Sequence, residues 1–323
     1  MPRAATGGLR VGGVLKKLGL TILAVLIVLI LCSFGLHHFL TAIGRTAHRV
    51  VVVDIAGRQV AMWKPAGPAP PDGYPLILFS HGFTGCGTQS VFLTEGLAQA
   101  GYFVLAPEHR DAACGQGHEG RLFEKLSTMQ SEEPFHKPAA WSEATYRNRG
   151  TDLEAVLDTI LKEKSFQGVA IDSSRVGLAG HSLGGYTVLA LAGAWPSWKD
   201  PRIKAVLAVS PFCAPFIIKG DLGHLDIPVM YQGGTLDIGI TPFVRRPGGA
   251  YDLSSDPKYF VELAGAGHFA WTNLNKSYQS VINDYAVAFF DRYLKGETHP
   301  DPLAHLVNHP WPKDVSDLRF AWK

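Results

Sequence analysis

The chain lacks any strong excess of one charge. Its 30 Lys and Arg stand against 28 Asp and Glu, a formal net charge of +2 over 323 residues. So small a balance gives no electrostatic footprint for nucleic acid or another polyanion. No internal repeat and no low-complexity block is present, so a solenoid or array is not expected. No histidines and carboxylates stand at metal-ligand spacing, and there is no glycine-rich phosphate loop, so no metal site is expected. Cysteine is scarce, with four residues. What the chain does have is apolar content: 46% hydrophobic residues suffice for one sizeable core, and α/β folds of this length often form one domain.

Residues 18–36 carry no charge and include Ile22-Leu-Ala-Val-Leu-Ile-Val-Leu-Ile-Leu31. A helix of about 19 residues spans roughly a bilayer core. Arg3, Arg10, Lys16 and Lys17 precede the run, and only Arg45 and Arg49 follow it closely. That asymmetry puts the N-terminus in the cytoplasm and the rest outside. The rival is a cleaved signal peptide and a secreted product, but such apolar cores are usually about 7–15 residues long. The expected organisation is a basic N-terminus at 1–17, an anchor at 18–36, a linker at 37–47, a catalytic domain at 48–296 and an irregular tail at 297–323.

Beyond the anchor, short apolar runs alternate with helical patterns. Strands are expected at 48–54 and 59–63, joined at Gly57 as a hairpin, and then at 76–79, 102–106, 175–179, 205–209, 227–231 and 259–263. Helices are expected at 90–100, 145–164, 185–194 and 277–294, the second with Leu153, Val156, Leu157, Ile160 and Leu161 on one face. Alternation of this kind argues for a mostly parallel sheet with helices on both faces and an antiparallel edge from the first hairpin. Ligands then bind at the carboxyl ends of the strands.

One stretch organises the rest. Gly180-His-Ser-Leu-Gly184 reads G-x-S-x-G between an apolar strand and a small-residue helix, the setting in which a tight turn lifts a serine hydroxyl toward substrate. Gly180 and Gly184 fit because backbone must pass close to that turn. Asp237 and His268 each follow an apolar strand, as Ser182 does, in the order Ser, Asp, His. Asp226, Asp252 and Asp256 precede their strands and lie at the wrong end. His268 is thus the expected general base and Asp237 its orienting acid. The backbone N–H groups of Leu183 and of Phe83, in Ser80-His-Gly-Phe83, are the expected oxyanion donors. His81 and His181 read as packing and loop-shaping residues.

The motifs Ser80-His-Gly-Phe-Thr-Gly85, Pro107-Glu-His-Arg-Asp111, Gly180-His-Ser-Leu-Gly-Gly185, Gly234-Thr-Leu-Asp237 and Gly265-Ala-Gly-His-Phe-Ala270 together resemble the α/β-hydrolase superfamily. The closer likeness is to its platelet-activating-factor acetylhydrolase and cutinase-like polyester hydrolase branch, with dienelactone hydrolases carrying similar pieces. The resemblance implies an esterase with a small or polymeric ester substrate, a Ser182–Asp237–His268 triad, Phe83 and Leu183 as oxyanion donors, and no cofactor. A membrane anchor departs from the secreted polyester hydrolases. An acyltransferase or a lactone hydrolase on the same triad, and a non-catalytic anchored module, are the alternatives. Residues 210–226 are too few for the large helical cap many hydrolases insert there, although residues 112–142 also leave a strand at the catalytic edge. In this fold the strands before Cys86 and Cys114 are neighbours, so the two cysteines are expected to pair outside the cytoplasm. Cys213 is a rival partner, and three free thiols are the alternative.

Overall fold

A computed structural model describes residues 50–114, 135–299, 301–309, 311 and 313–321. The strands are β1 (Val51–Ile55), β2 (Arg58–Trp63), β3 (Tyr74–Ser80), β4 (Phe103–Pro107), β5 (Ser165–Phe166), β6 (Val169–His181), β7 (Ile203–Val209), β8 (Val229–Gly234), β9 (Lys258–Leu263) and β10 (Val315–Ala321). The sheet runs β1-β2-β4-β3-β6-β7-β8-β9-β10, with β5 paired only to β6. From β4 through β9 the pairs are parallel. The β1–β2–β4 edge and the β9–β10 edge are antiparallel. This is the mostly parallel α/β sheet expected, with the first hairpin at one edge.

Strand side chains alternate between faces, and here both faces are buried. Leu76 and Leu78 of β3 enter one core, while Ile77 and Phe79 enter the other. Val206 and Ala208 of β7 share the first, and Ala205, Leu207 and Val209 the second. That two-sided burial is why these strands read as continuous apolar runs. The first core is covered by α2 (Arg147–Glu163), whose Leu153, Val156, Leu157 and Ile160 are buried at helical spacing. The second is covered by α1 (Val91–Gln99) and α7 (Gln279–Phe290). Truncating a fully buried member such as Ile160 to Ala should destabilise by about 2–5 kcal/mol.

Between these lie short helices: α3 (Leu183–Leu189), α4 (Ala214–Ile218), α5 (Thr241–Arg245) and α6 (Ala250–Leu253). The β7–β8 connection holds only α4 and one 3₁₀ turn, Leu222–His224.

The tail expected to be irregular is not. It carries α8 (Pro302–Asn308) and β10. The Asp301 side chain accepts from the backbone N–H groups of Leu303 and Ala304, both at 3.1 Å, and caps a helix whose first residue is proline. Pro302 occupies the first helical position, where its missing N–H costs nothing, so it starts a helix instead of breaking one. Strand β10 then pairs with β9, so β9 is not the last strand. Its residues are half-buried or exposed, which is why no apolar run marked it.

The expected anchor at 18–36 lies outside the described residues, as does most of 112–142. Among the described residues no helix is long and apolar enough to cross a membrane. Cys86 and Cys114 are joined by a disulfide with Cα atoms 5.3 Å apart, and the rival Cys213 is a buried free thiol. The bond ties the loop after β3 to the loop after β4.

Candidate active site

Ser182 sits between β6 and α3 with φ 55° and ψ −116°, a conformation that non-glycine residues rarely hold. The glycines around it are there for room. A Cβ on Gly184 would lie 1.9 Å from the Ser80 carbonyl oxygen, and one on Gly180 would lie 2.4 Å from the Gly184 carbonyl oxygen. The spacing G-x-S-x-G is the sequence trace of backbone packed against backbone under a strained turn.

Three strand ends bring their polar residues together at this turn. His268 Nε2 lies 3.0 Å from Ser182 Oγ, and His268 Nδ1 lies 3.1 Å from Asp237 Oδ1. Asp237 Oδ2 accepts from Ser210 Oγ at 2.6 Å and from Thr241 Oγ1 at 3.0 Å. Burial alone would raise the Asp237 carboxyl. The hydrogen bond and charge of His268, with the Ser210 and Thr241 hydroxyls, more than offset this and hold it below its ordinary range. Asp237 therefore stays an acceptor, and Nδ1 must carry the proton of the neutral ring. That leaves Nε2 free to accept from Ser182.

The loop carrying Phe83 abuts this serine. A Cβ on Gly82 would be 3.4 Å from Ser182 Cβ. Among the described residues, neither the Phe83 nor the Leu183 backbone N–H has a hydrogen-bond acceptor. A completely buried Arg149 holds the loop from behind. Its Nη1 donates to Asp111 Oδ1 at 2.6 Å, its Nη2 to the His81 carbonyl, and its Nε to Thr187 Oγ1 at 3.3 Å. Asp111 Oδ2 in turn accepts from Thr84 N at 3.2 Å. Burial opposes ionisation of Asp111, but Arg149 wins and lowers its carboxyl to about 2.

A second chain of hydrogen bonds ties the same loop to His268. Gly82 N donates to Gln89 Oε1 at 3.0 Å. Gln89 Nε2 donates to His181 Nδ1 at 2.9 Å, and His181 Nε2 donates to the His268 carbonyl at 2.9 Å. Burial, with His268 nearby, pushes His181 down to about 3, so it stays neutral and keeps this single arrangement. His181 thus shapes the site as expected, but its partner Gln89 was missed, as were Ser210, Thr241 and Arg149. Their contacts join residues distant in the chain and carry no local pattern. Only Asp111 lay inside a motif already singled out.

Around the opening, Leu236 (65%), Ile238 (82%) and Phe269 (60%) are exposed beside Asp237 and His268. On the other side, Phe83 meets Phe135 at 5.3 Å between ring centroids, and Phe135 meets Phe212 at 5.2 Å. The exposed side chains beside Asp237 and His268 are therefore apolar, and aromatic rings pack against Phe83. Among the described residues no cluster could hold a metal ion.

A mostly parallel sheet with a strained serine turn at its carboxyl edge is the architecture of the α/β-hydrolase superfamily. Residues 142–318, more than half of the chain, match the model of the PET hydrolase-like family, and the chain belongs to that family. Residues 32–130 match the model of platelet-activating factor acetylhydrolase, isoform II. Cutinase 2 of Thermobifida cellulosilytica is 26% identical over 228 residues, covering 70% of each chain. Cutinase cut1 of Thermobifida fusca is also 26% identical over 70% of this chain, but the match spans 58% of the relative. Platelet-activating factor acetylhydrolase of Cavia porcellus is 28% identical over 177 residues, 48% of this chain and 38% of that one. With these relatives, the chain is a serine ester hydrolase.

Proposed function

We propose that Ser182, His268 and Asp237 form the catalytic triad of a carboxylic-ester hydrolase that works through an acyl-enzyme. Ser182 Oγ attacks the ester carbonyl carbon while its proton passes to His268 Nε2. The oxyanion is held by the N–H groups of Phe83 and Leu183. As the intermediate collapses, the bond from carbon to the alcohol oxygen breaks and the alcohol leaves with the proton from Nε2. Water then repeats the sequence on the acyl-enzyme: it loses a proton to Nε2, and Ser182 leaves with that proton as the acid is released. Asp237 holds the Nδ1–H tautomer and stabilises the imidazolium formed twice per cycle.

The observation that carries this reading is His268 within hydrogen-bond reach of both Ser182 and Asp237 at a strained turn. The exposed apolar side chains beside Asp237 and His268 support an ester with an apolar acyl or alcohol part, either small or at the surface of a polymer. Turnover of p-nitrophenyl esters of increasing chain length by the wild type and by Ser182→Ala tests it. The variant should fold and lose roughly 10⁴-fold or more in kcat, since triad members act as a unit. Wild-type turnover in Ser182→Ala would overturn the reading.

The catalytic domain is read as working outside the cytoplasm, held by residues 18–36 as an anchor. The Cys86–Cys114 disulfide supports export, because such bonds persist in oxidising compartments. The full chain should then stay with the membrane fraction after a salt wash. Recovery in the soluble fraction with its first residues trimmed would point to a cleaved signal instead.

A further inference from the structure

Ser210 follows β7 at the same edge as Ser182, Asp237 and His268. It is completely buried. Its φ is 45°, a left-handed conformation that glycine would adopt without strain. Its backbone N–H donates to the Gln232 carbonyl at 2.7 Å, so the main chain at this point is fixed by the neighbouring strand β8. The side chain is aimed between the two members of the proposed acid–base pair. Ser210 Oγ is 2.6 Å from Asp237 Oδ2 and 2.7 Å from His268 Nδ1. The second distance is shorter than the 3.1 Å from Nδ1 to Asp237 Oδ1.

The direction of these bonds follows from the groups themselves. An ionised carboxylate only accepts, and a hydroxyl has one proton. Ser210 must therefore donate that proton to Asp237, which leaves its lone pairs for the Nδ1–H of His268. We propose that Ser210 is a positioning residue for the proposed triad: its hydroxyl couples His268 to Asp237 as a bridge beside their direct bond. This rests on the reading of Ser182, His268 and Asp237 given above. The bridge does two things. It gives Nδ1–H a second acceptor, so the ring tautomer that leaves Nε2 free for Ser182 is held from two strands. It also spreads the charge of the carboxylate, which moderates how strongly Asp237 draws a proton onto the ring.

Among the described residues, the titratable groups facing the His268 ring are Asp237, from the loop after β8, and His181, from β6. His181 is held neutral well below the working range. The charge that faces the ring is therefore that of Asp237, and Ser210 is in direct contact with it.

The test is the pH profile of kcat/KM for Ser210→Ala and Ser210→Gly, measured on a p-nitrophenyl ester. Glycine takes the positive φ without strain, so the second variant separates loss of the hydroxyl from loss of the fold. Both variants should lose about tenfold in kcat with KM within about twofold, the size expected for removing one hydrogen bond to a charged group. The acid limb should move up by about half to one pH unit, because an unmoderated carboxylate makes the imidazole more basic. In an Asp237→Asn background the further effect of Ser210→Ala should shrink to about twofold, since the bridge then has no charge to share. An unmoved acid limb in both variants, or an undiminished effect in the Asp237→Asn background, would overturn the inference while leaving the triad standing. Wild-type turnover in Ser182→Ala would instead remove the reading on which it rests.

Discussion

Among the described residues two Ser–His–Asp lines stand out, with similar distances but different settings. In the first, Ser182, His268 and Asp237 are linked at 3.0 and 3.1 Å. In the second, Ser80 Oγ lies 2.9 Å from His109 Nε2, and His109 Nδ1 lies 3.0 Å from Asp152 Oδ2. The His268 side chain is 27% exposed and the His109 side chain is 0% exposed. Ser182 stands on a strained turn beside two free backbone N–H groups, whereas Ser80 is the last residue of β3, in regular parallel pairing. Asp152 also pairs with Arg58 at 2.8 Å, so its charge is already engaged by a cation. Hydrogen-bond distance is thus a weak criterion for a catalytic triad. Exposure of the histidine, a serine on a strained turn and unpaired backbone N–H groups distinguish the proposed triad from the buried line, which joins β3 and α2 through the loop after β4.

The bases give the largest expected contrast. His268→Gln should cost roughly 10⁴-fold or more in kcat. His109→Gln should keep kcat within about threefold and instead lower the melting temperature, because it disturbs a completely buried hydrogen-bond pair. Steady-state kinetics and thermal unfolding of both variants check this, and a large kcat loss in His109→Gln would erase the contrast.

The acids come next. Asp237→Asn should cost up to about 10⁴-fold in kcat by favouring the wrong histidine tautomer. Asp152→Asn should leave turnover close to wild type and lose about 1–3 kcal/mol of stability to denaturant, as the partly buried Arg58 and the buried His109 lose their charged partner. If Asp152→Asn were the inactive variant, the two lines would have been assigned the wrong way round.

A smaller effect separates the first line from its supports. Gln89→Leu removes the donor to His181 Nδ1 and the acceptor of Gly82 N. Both the loop carrying Phe83 and the His268 backbone should loosen, at a cost of about tenfold in kcat with little change in melting temperature. A melting temperature that falls with kcat unchanged would make Gln89 a purely structural residue.

The gentlest test is stability against pH. Burial, joined by Arg149, lowers His81 and His109 well below their ordinary value, and burial with His268 lowers His181 to about 3. A histidine with a depressed folded pKa contributes stability that is whole above its unfolded value of about 6.5 and is lost as pH falls toward the folded value. In that window each should add a slope of up to about 1.4 kcal/mol per pH unit. Denaturant unfolding between pH 7 and pH 5 should therefore steepen with acid, and His109→Gln should remove about one proton of that slope. A flat profile would show that these rings protonate in the folded protein.

The sequence carried the strand-end residues well, because an apolar run followed by a polar residue is a local signal. That rule alone does not discriminate, however. Ser80 ends β3, His109 follows β4 and Ser210 follows β7, as Ser182, Asp237 and His268 follow theirs. The motif around Ser182 marked one serine out of these, since its flanking glycines record a backbone contact. Burial, which no local pattern reports, then separates His109 from His268. Ser210 carried no local signal, because its two partners come from other strand ends. Arg149 was invisible for a related reason: inside α2, whose periodicity was clear, a buried arginine looks like any solvated one. In the tail, expected to be irregular, Asp301 and Pro302 together form a helix start.

Ser182 alone is proposed as the nucleophile, although Ser80 sits in a line with similar distances. Covalent labelling with a fluorophosphonate, followed by peptide mapping of the intact protein, tests it most directly, because the reagent reacts only with a serine that is both activated and accessible. One label per chain is expected, on the peptide carrying Ser182, and none in Ser182→Ala. Label on Ser80, or undiminished labelling in Ser182→Ala, would contradict it.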